Sequence, residues 1–144
     1  MTRDEVVNLI ARWQEAFARR DMQGFGEAYA EDAIYESPLF GEPVHGREAI
    51  VQSQASFVTA FPDARVTSEP PIVHGDRAAV ISELTGTQVG SFMGLPATGR
   101  HVSVRLAFLL EVRDGVIVRD RRIYDFTGLL IQVGVLKARG RNLG

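Results

Sequence analysis

The chain has 144 residues, 45% of them hydrophobic and 24% charged, with a formal net charge of -2 and no cysteine. That length supports one domain, residues 1–144, with a sizeable core and no covalent staples. The lack of cysteine excludes disulfides, thiol catalysis and thiolate-held metals, and the small net charge gives no electrostatic reason to expect nucleic acid or an anionic membrane as partner.

Thr2-Arg3-Asp4-Glu5 reads as a capping box opening a helix. Val6, Ile10, Trp13 and Phe17 follow at spacings of four, three and four, which makes one face apolar. Arg19-Arg20-Asp21 closes this helix, and a short second one is predicted over Met22–Tyr29. Ala33–Ser37 reads as a brief strand stopped by Pro38. A third helix is predicted over Arg47–Phe61, with Ile50, Phe57 and Phe61 inward and Pro62 ending it.

From Ala64 the apolar period becomes two. Strands are predicted over Ala64–His74, Arg77–Gln88, His101–Arg113 and Val116–Asp125, with Gly75-Asp76 and Asp114-Gly115 as hairpin turns. Val102, Val104, Leu106, Phe108, Leu110 and Val112 all fall on one face, with Arg105 and Glu111 opposite, so the sheet has one buried side. Helices first and antiparallel strands later predict an α+β domain whose curved sheet wraps the first helix. His45, His74 and His101 are scattered, so no metal site is expected. No run is apolar enough for a bilayer span or the core of a signal peptide, and a cytoplasmic protein is expected.

Candidate chemistry centres on Asp125, a lone carboxylate where an apolar strand becomes an apolar helix. Unbroken alternation puts Arg121, Ile123 and Asp125 on one face and Arg122 and Tyr124 on the other. A carboxylate lined by apolar groups has its pKa raised toward neutrality, which suits proton transfer. The plain alternative is that Asp125 caps the helix starting near Thr127. Tyr35 and Ser37, two apart on a strand, point the same way. Glu83, flanked by apolar residues, is a second carboxylate or the ion-pair partner of Arg121. Trp13 and Phe17 are placed to stack on a flat ligand or to fill the core, and Phe57 joins them from the third helix. Phe92 and Met93 read as a mobile rim, since Gly90 and Gly94 permit hinging. The sole lysine, Lys137, lies in the tail, which removes Schiff-base chemistry from the interior.

Four segments carry a resemblance over nearly the whole chain: Tyr29-Ala30-Glu31-Asp32-Ala33, Val44-His45-Gly46-Arg47-Glu48-Ala49-Ile50, the loop from Phe92 to Arg100, and the tail from Asp125 to Gly134. Together they resemble the NTF2-like superfamily of cone-shaped α+β domains, and within it the SnoaL-like polyketide cyclase and ester cyclase group. The resemblance implies an acid/base aspartate at Asp125. It aligns Tyr35 and Ser37 with the tyrosine and asparagine that hold the water of limonene-type epoxide hydrolases. The second of these positions is the aspartate base of ketosteroid isomerases, and serine is a far weaker base. Glu83-x-Thr85 replaces the hydrolases' Arg-x-Asp, and Phe108 replaces the isomerases' protonated oxyanion-hole aspartate, so neither chemistry is expected in its usual form.

The function implied is cofactor-free, metal-free acid/base catalysis of intramolecular aldol type on a hydrophobic, carbonyl-rich small molecule. Asp125, Glu83 and Tyr35 are the expected catalytic groups, with Ser37, Phe108 and Arg121 among the substrate contacts. The alternatives are an epoxide hydrolase- or dehydratase-like enzyme on the same cavity, and a non-catalytic ligand-binding or dimerisation module. A homodimer through the outer sheet face, which carries Arg105, is also implied.

Overall fold

The computed structural model describes residues 1–137. Helix α1 (Arg3–Ala18) opens on the expected capping box, the Glu5 amide donating to Thr2 Oγ1 at 3.1 Å and the Thr2 amide to Glu5 Oε1 at 2.8 Å. It buries Val6, Leu9, Ile10 and Trp13, each worth about 1.5–3 kcal/mol of removed apolar surface. Arg20 then takes a left-handed conformation with φ of 61° and turns the chain into α2 (Met22–Glu27). Asp21 caps that helix through the Gly24 amide at 2.9 Å.

Helix α2 ends before Tyr29, which instead begins strand β1 (Tyr29–Glu36). Two glycines in a six-residue helix leave it little intrinsic stability. The Ile117 amide donates to the Ala28 carbonyl at 2.7 Å and starts strand pairing there. A two-residue strand, β2 (Val44–His45), pairs with β1 and precedes α3 (Arg47–Ala60). The predicted strand over Ala64–His74 is two strands, β3 (Arg65–Ser68) and β4 (Ile72–His74). Pro70 and Pro71 between them cannot donate to a ladder.

Strands β5 (Arg77–Thr87), β6 (His101–Arg113) and β7 (Val116–Tyr124) follow, then α4 (Phe126–Gln132). The sheet order is β2-β1-β7-β6-β5-β3, with β4 also on β5, and it does not close. All pairs are antiparallel except β1 with β7. On β6 the even positions from Val102 to Val112 are buried as expected. They face α1, α2 and α3 and make an α+β cone with helices on its concave side.

The outer face is banded. Ile81, Ala107 and Ile123 align across β5, β6 and β7, with Ala79, Leu109 and Arg121 in the next row. Charged rows flank them, Glu83 beside Arg105 on one side and Arg77, Glu111 and Arg119 on the other. No helix among the described residues is long and apolar enough to cross a membrane.

Strand β7 carries the irregularity that decides the interior. Val112 pairs with Ile117, but Glu111 pairs with Arg119, so two residues of β7 oppose one of β6. Such a bulge reverses the faces beyond it. Ile117 is buried, and after the bulge Asp120 is buried and Arg122 and Tyr124 turn to the interior.

Candidate functional site

The cone encloses a cavity of about 760 Å³ between α1, α3 and the concave sheet face. Its walls are aromatic. Trp13 meets Phe108 edge-on at 5.1 Å, and Phe92 meets Phe57 and Phe61 in the same way at 5.7 and 5.5 Å. At one rim Arg20 lies over the Phe17 ring at 5.2 Å and donates to the carbonyls of Pro62 and Ala64 at 2.9 and 2.7 Å. This ties the end of α1 to the turn after α3.

Within these walls sits a polar cluster contributed by α1, α3, β1 and β7. Asp120 is fully buried. Arg122 donates to it from Nη2 to Oδ2 at 3.0 Å and from Nε to Oδ1 at 3.4 Å. The Tyr29 hydroxyl donates to Oδ2 at 2.6 Å, and the Trp13 indole donates to the Tyr29 oxygen at 2.9 Å. Arg122 Nη1 donates to Gln54 Oε1 at 3.1 Å, and Gln54 Nε2 reaches the Tyr35 oxygen at 3.5 Å. The guanidinium carbon lies 4.6 Å from the Tyr35 ring centre and 4.9 Å from that of Phe108.

Burial works against the charge on Arg122, but the Asp120 carboxylate beside it and the Tyr35 and Tyr29 hydroxyls more than offset this, so its pKa rises and it stays cationic. Burial, then the nearby Asp120 charge, pushes Tyr29 well above the ordinary tyrosine range, so it remains a donor. Tyr124 lies 3.0 Å from Ser37 Oγ, which also accepts the Leu39 amide at 3.2 Å. Burial raises the Tyr124 phenol too, against the opposing hydrogen bond from Ser37.

The structure brings together six of the residues expected at the site. Trp13, Phe17, Tyr35, Phe57, Phe92 and Phe108 all line the cavity, and Ser37 reaches it through Tyr124. Four others lie elsewhere. Asp125 is exposed and caps α4, accepting the Gly128 amide at 2.8 Å, and a Cβ at position 128 would collide with its carboxylate. The reason is the β7 bulge, which turns the odd positions outward. Glu83 is exposed on the convex face, opposite Arg105, and accepts the Ser103 hydroxyl at 3.1 Å. Arg121 shares that face, paired in register with Leu109, and its Nε has no hydrogen-bond partner among the described residues. It contacts neither Asp125 nor Glu83 through a hydrogen bond or ion pair among the described residues.

Met93 is half-exposed at the tip of a tight turn, with φ of 54° followed by 76° at Gly94. Gly90 is held rather than free to hinge. Its amide and that of Val89 donate to the Ala60 carbonyl at 3.2 and 2.9 Å, and a Cβ there would sit 3.2 Å from the Thr59 oxygen. Gln88, buried beneath the loop, ties it down through the Gly90 and Pro96 carbonyls and the Thr98 hydroxyl.

Sequence reasoning missed Gln54, Asp120, Arg122 and Tyr124. A signal existed for Gln54, which lies four residues after Ile50 and three before Phe57, on the inward stripe of α3.

A curved open sheet cupping its helices around a cavity is the NTF2-like architecture, and solved NTF2-like and ketosteroid isomerase-like folds match this chain. The family model for SnoaL-like polyketide cyclase matches residues 7–133, and the chain belongs to that family. It is similar to IdmH of Streptomyces antibioticus, described as a candidate polyketide cyclase, at 31% identity over 89% of this chain and 97% of that one, with a TM-score of 0.74. It is also similar to AclR of Streptomyces galilaeus, described as a candidate hydroxylase, at 27% identity over 91% and 85%, with a TM-score of 0.78. TsrD of Streptomyces laurentii superposes with a TM-score of 0.83 at 25% identity, over 94% of this chain and 99% of that one.

Proposed function

We propose that this chain is a polyketide cyclase-type enzyme that closes a ring in a hydrophobic, carbonyl-rich small molecule by intramolecular aldol addition. The observation that carries this reading is an aromatic cavity of about 760 Å³ holding two phenols, Tyr35 and Tyr124, beside a fixed guanidinium. Apolar walls fold a flexible substrate into a near-attack shape. Donors fixed among these aromatic walls then stabilise negative charge as it develops on a carbonyl oxygen.

In the proposed step the carbon between two carbonyls loses its proton to water. Its electron pair forms a bond to the carbon of a third carbonyl, further along the same molecule, whose π pair moves to oxygen. Tyr124, kept protonated by burial, donates to that oxygen as it becomes an alkoxide. The proton released from carbon restores the phenol, so the reaction is an isomerisation with no co-reactant. Asp125 in this reading is structural.

The test is turnover of an aryl 1,3-dicarbonyl chain able to cyclise, followed by mass-neutral conversion to the ring. Tyr35→Phe and Tyr124→Phe each lower kcat by about 100-fold or more, as loss of one oxyanion donor does. Full activity in both variants overturns the reading. The exposed, capped position of Asp125 favours one second reading, a binding module that holds such molecules without turning them over. Tight binding with no product in any variant establishes it. The apolar row of Ile81, Ala107 and Ile123 on the convex face, between bands of mixed charge, supports a homodimer formed there.

A further inference from the structure

We infer that Arg122 is the ligand-recognition fork of the cavity, and that it selects an enolised 1,3-dicarbonyl, gripping both oxygens at once. The inference rests on the proposed carbonyl-rich substrate and narrows it to one functional group.

A guanidinium carries five N–H donors: one on Nε and two on each terminal nitrogen. Three are spent here, Nε and one Nη2–H on Asp120 and one Nη1–H on Gln54. That leaves one hydrogen on each terminal nitrogen with no partner among the described residues, on a side chain that lines the cavity. Asp120 occupies the edge shared by Nε and Nη2, so the unspent Nη2–H projects on the far edge, toward the Nη1 side.

Several contacts hold this fork still. Asp120 cannot rotate away, because the Tyr29 hydroxyl and through it the Trp13 indole fix its Oδ2. The rings of Tyr35 and Phe108 lie against the guanidinium. Arg122 is therefore a cation that needs no rearrangement to meet a ligand, with Asp120 as its positioning residue.

The acceptor that matches is planar and has two oxygens on one edge. An enolised 1,3-dicarbonyl offers that pair, and its enolate spreads one negative charge over both. Asp120 already balances the arginine charge, so a neutral diketone enters without leaving an unpaired ion. When its central carbon gives a proton to water, the fork stabilises the enolate through charge-assisted hydrogen bonds. No other bond breaks in this step. Lysine cannot substitute, since an ammonium is a point donor rather than a planar pair.

The probes are dibenzoylmethane, a 1,3-diketone, and 1,3-diphenylpropan-1-one, which keeps both rings and loses one carbonyl. Trp13, the sole tryptophan, lines the cavity, so its fluorescence reports binding of each. The wild-type protein should bind the diketone about tenfold more tightly than the monoketone, the worth of one added hydrogen bond to a charged group. It should also shift the absorbance change of enolate formation to lower pH by about one unit. Arg122→Lys should remove both effects.

Equal affinity of the wild-type protein for the two probes, or a preference and a pH shift that persist in Arg122→Lys, overturns the inference. The wild-type comparison decides the matter even if Arg122→Lys does not fold. Monoketone binding without diketone preference refutes the fork alone. Binding of neither probe refutes the carbonyl-binding cavity as well.

Discussion

The Tyr29 hydroxyl lies 2.6 Å from Asp120 Oδ2, a hydrogen bond that joins the first and last strands of the parallel pair inside the core. Both side chains are fully buried. Removing the Tyr29 hydroxyl leaves Asp120 to Arg122 alone and strands the Trp13 indole donor. Tyr29→Phe is expected to cost about 1–3 kcal/mol, the price of an unsatisfied buried group. Asp120→Asn leaves Arg122 as an uncompensated buried cation and should cost more, about 3–5 kcal/mol. Urea unfolding at neutral pH measures both, and the expected order is Asp120→Asn below Tyr29→Phe below wild type.

Asp125 separates the cap from the cavity. Asn caps a helix about as well as Asp, so Asp125→Asn is expected to retain both stability and turnover. Asp125→Ala loses the cap and about 1 kcal/mol, again with turnover preserved in the folded fraction. Turnover abolished in a fully stable Asp125→Asn protein would restore the acid/base role to this residue.

Asp63 provides a pH signature. The Thr87 amide donates to Asp63 Oδ1 at 2.7 Å and holds its carboxyl below the usual aspartate range. A carboxyl depressed in the folded state adds stability that is complete above its unfolded pKa of about 3.9 and is lost as pH falls through the lower folded value. Asp63→Asn should therefore show a shallower loss of stability below about pH 4 than the wild type. Thermal unfolding across pH 2.5–5 checks this, and parallel acid limbs would refute it.

Ile123 is 59% exposed at the end of the row it forms with Ala107 and Ile81. If two copies pair through this face, a charge there is buried without a partner. Ile123→Lys is expected to give a monomer by sedimentation with its secondary structure intact. A wild-type protein that sediments as a monomer would remove the basis for the pairing.

The helices and central strands were legible because their burial is periodic. The Thr2–Glu5 box opens α1, and the even positions of β6 read as a buried face over thirteen residues, with bounds that match. The same reasoning misplaced the end of β7 because period-two counting assumes an unbroken ladder. The bulge opposite Glu111 and Val112 sits among Arg119, Asp120, Arg121 and Arg122, a run of charges with no apolar marker to show which side is inside. Asp120 is hidden in that run, since nothing local distinguishes a carboxylate bound to Tyr29, 91 residues away, from one facing solvent. The aromatic wall was easier to find because Trp13, Phe17 and Phe108 occupy positions that periodicity already points inward.

The extra residue in β7 also bears on how such a scaffold changes its chemistry over time. Taking Val118 into an unbroken ladder with β6, in place of the bulge, would exchange the inner and outer sets of the last strand in a single step of register. Arg121, Ile123 and Asp125 would then face the hollow, and Arg122 and Tyr124 would face outward. Two chemically distinct interiors are thus encoded along one stretch of chain, one residue of register apart, while β6 and the helices stay where they are.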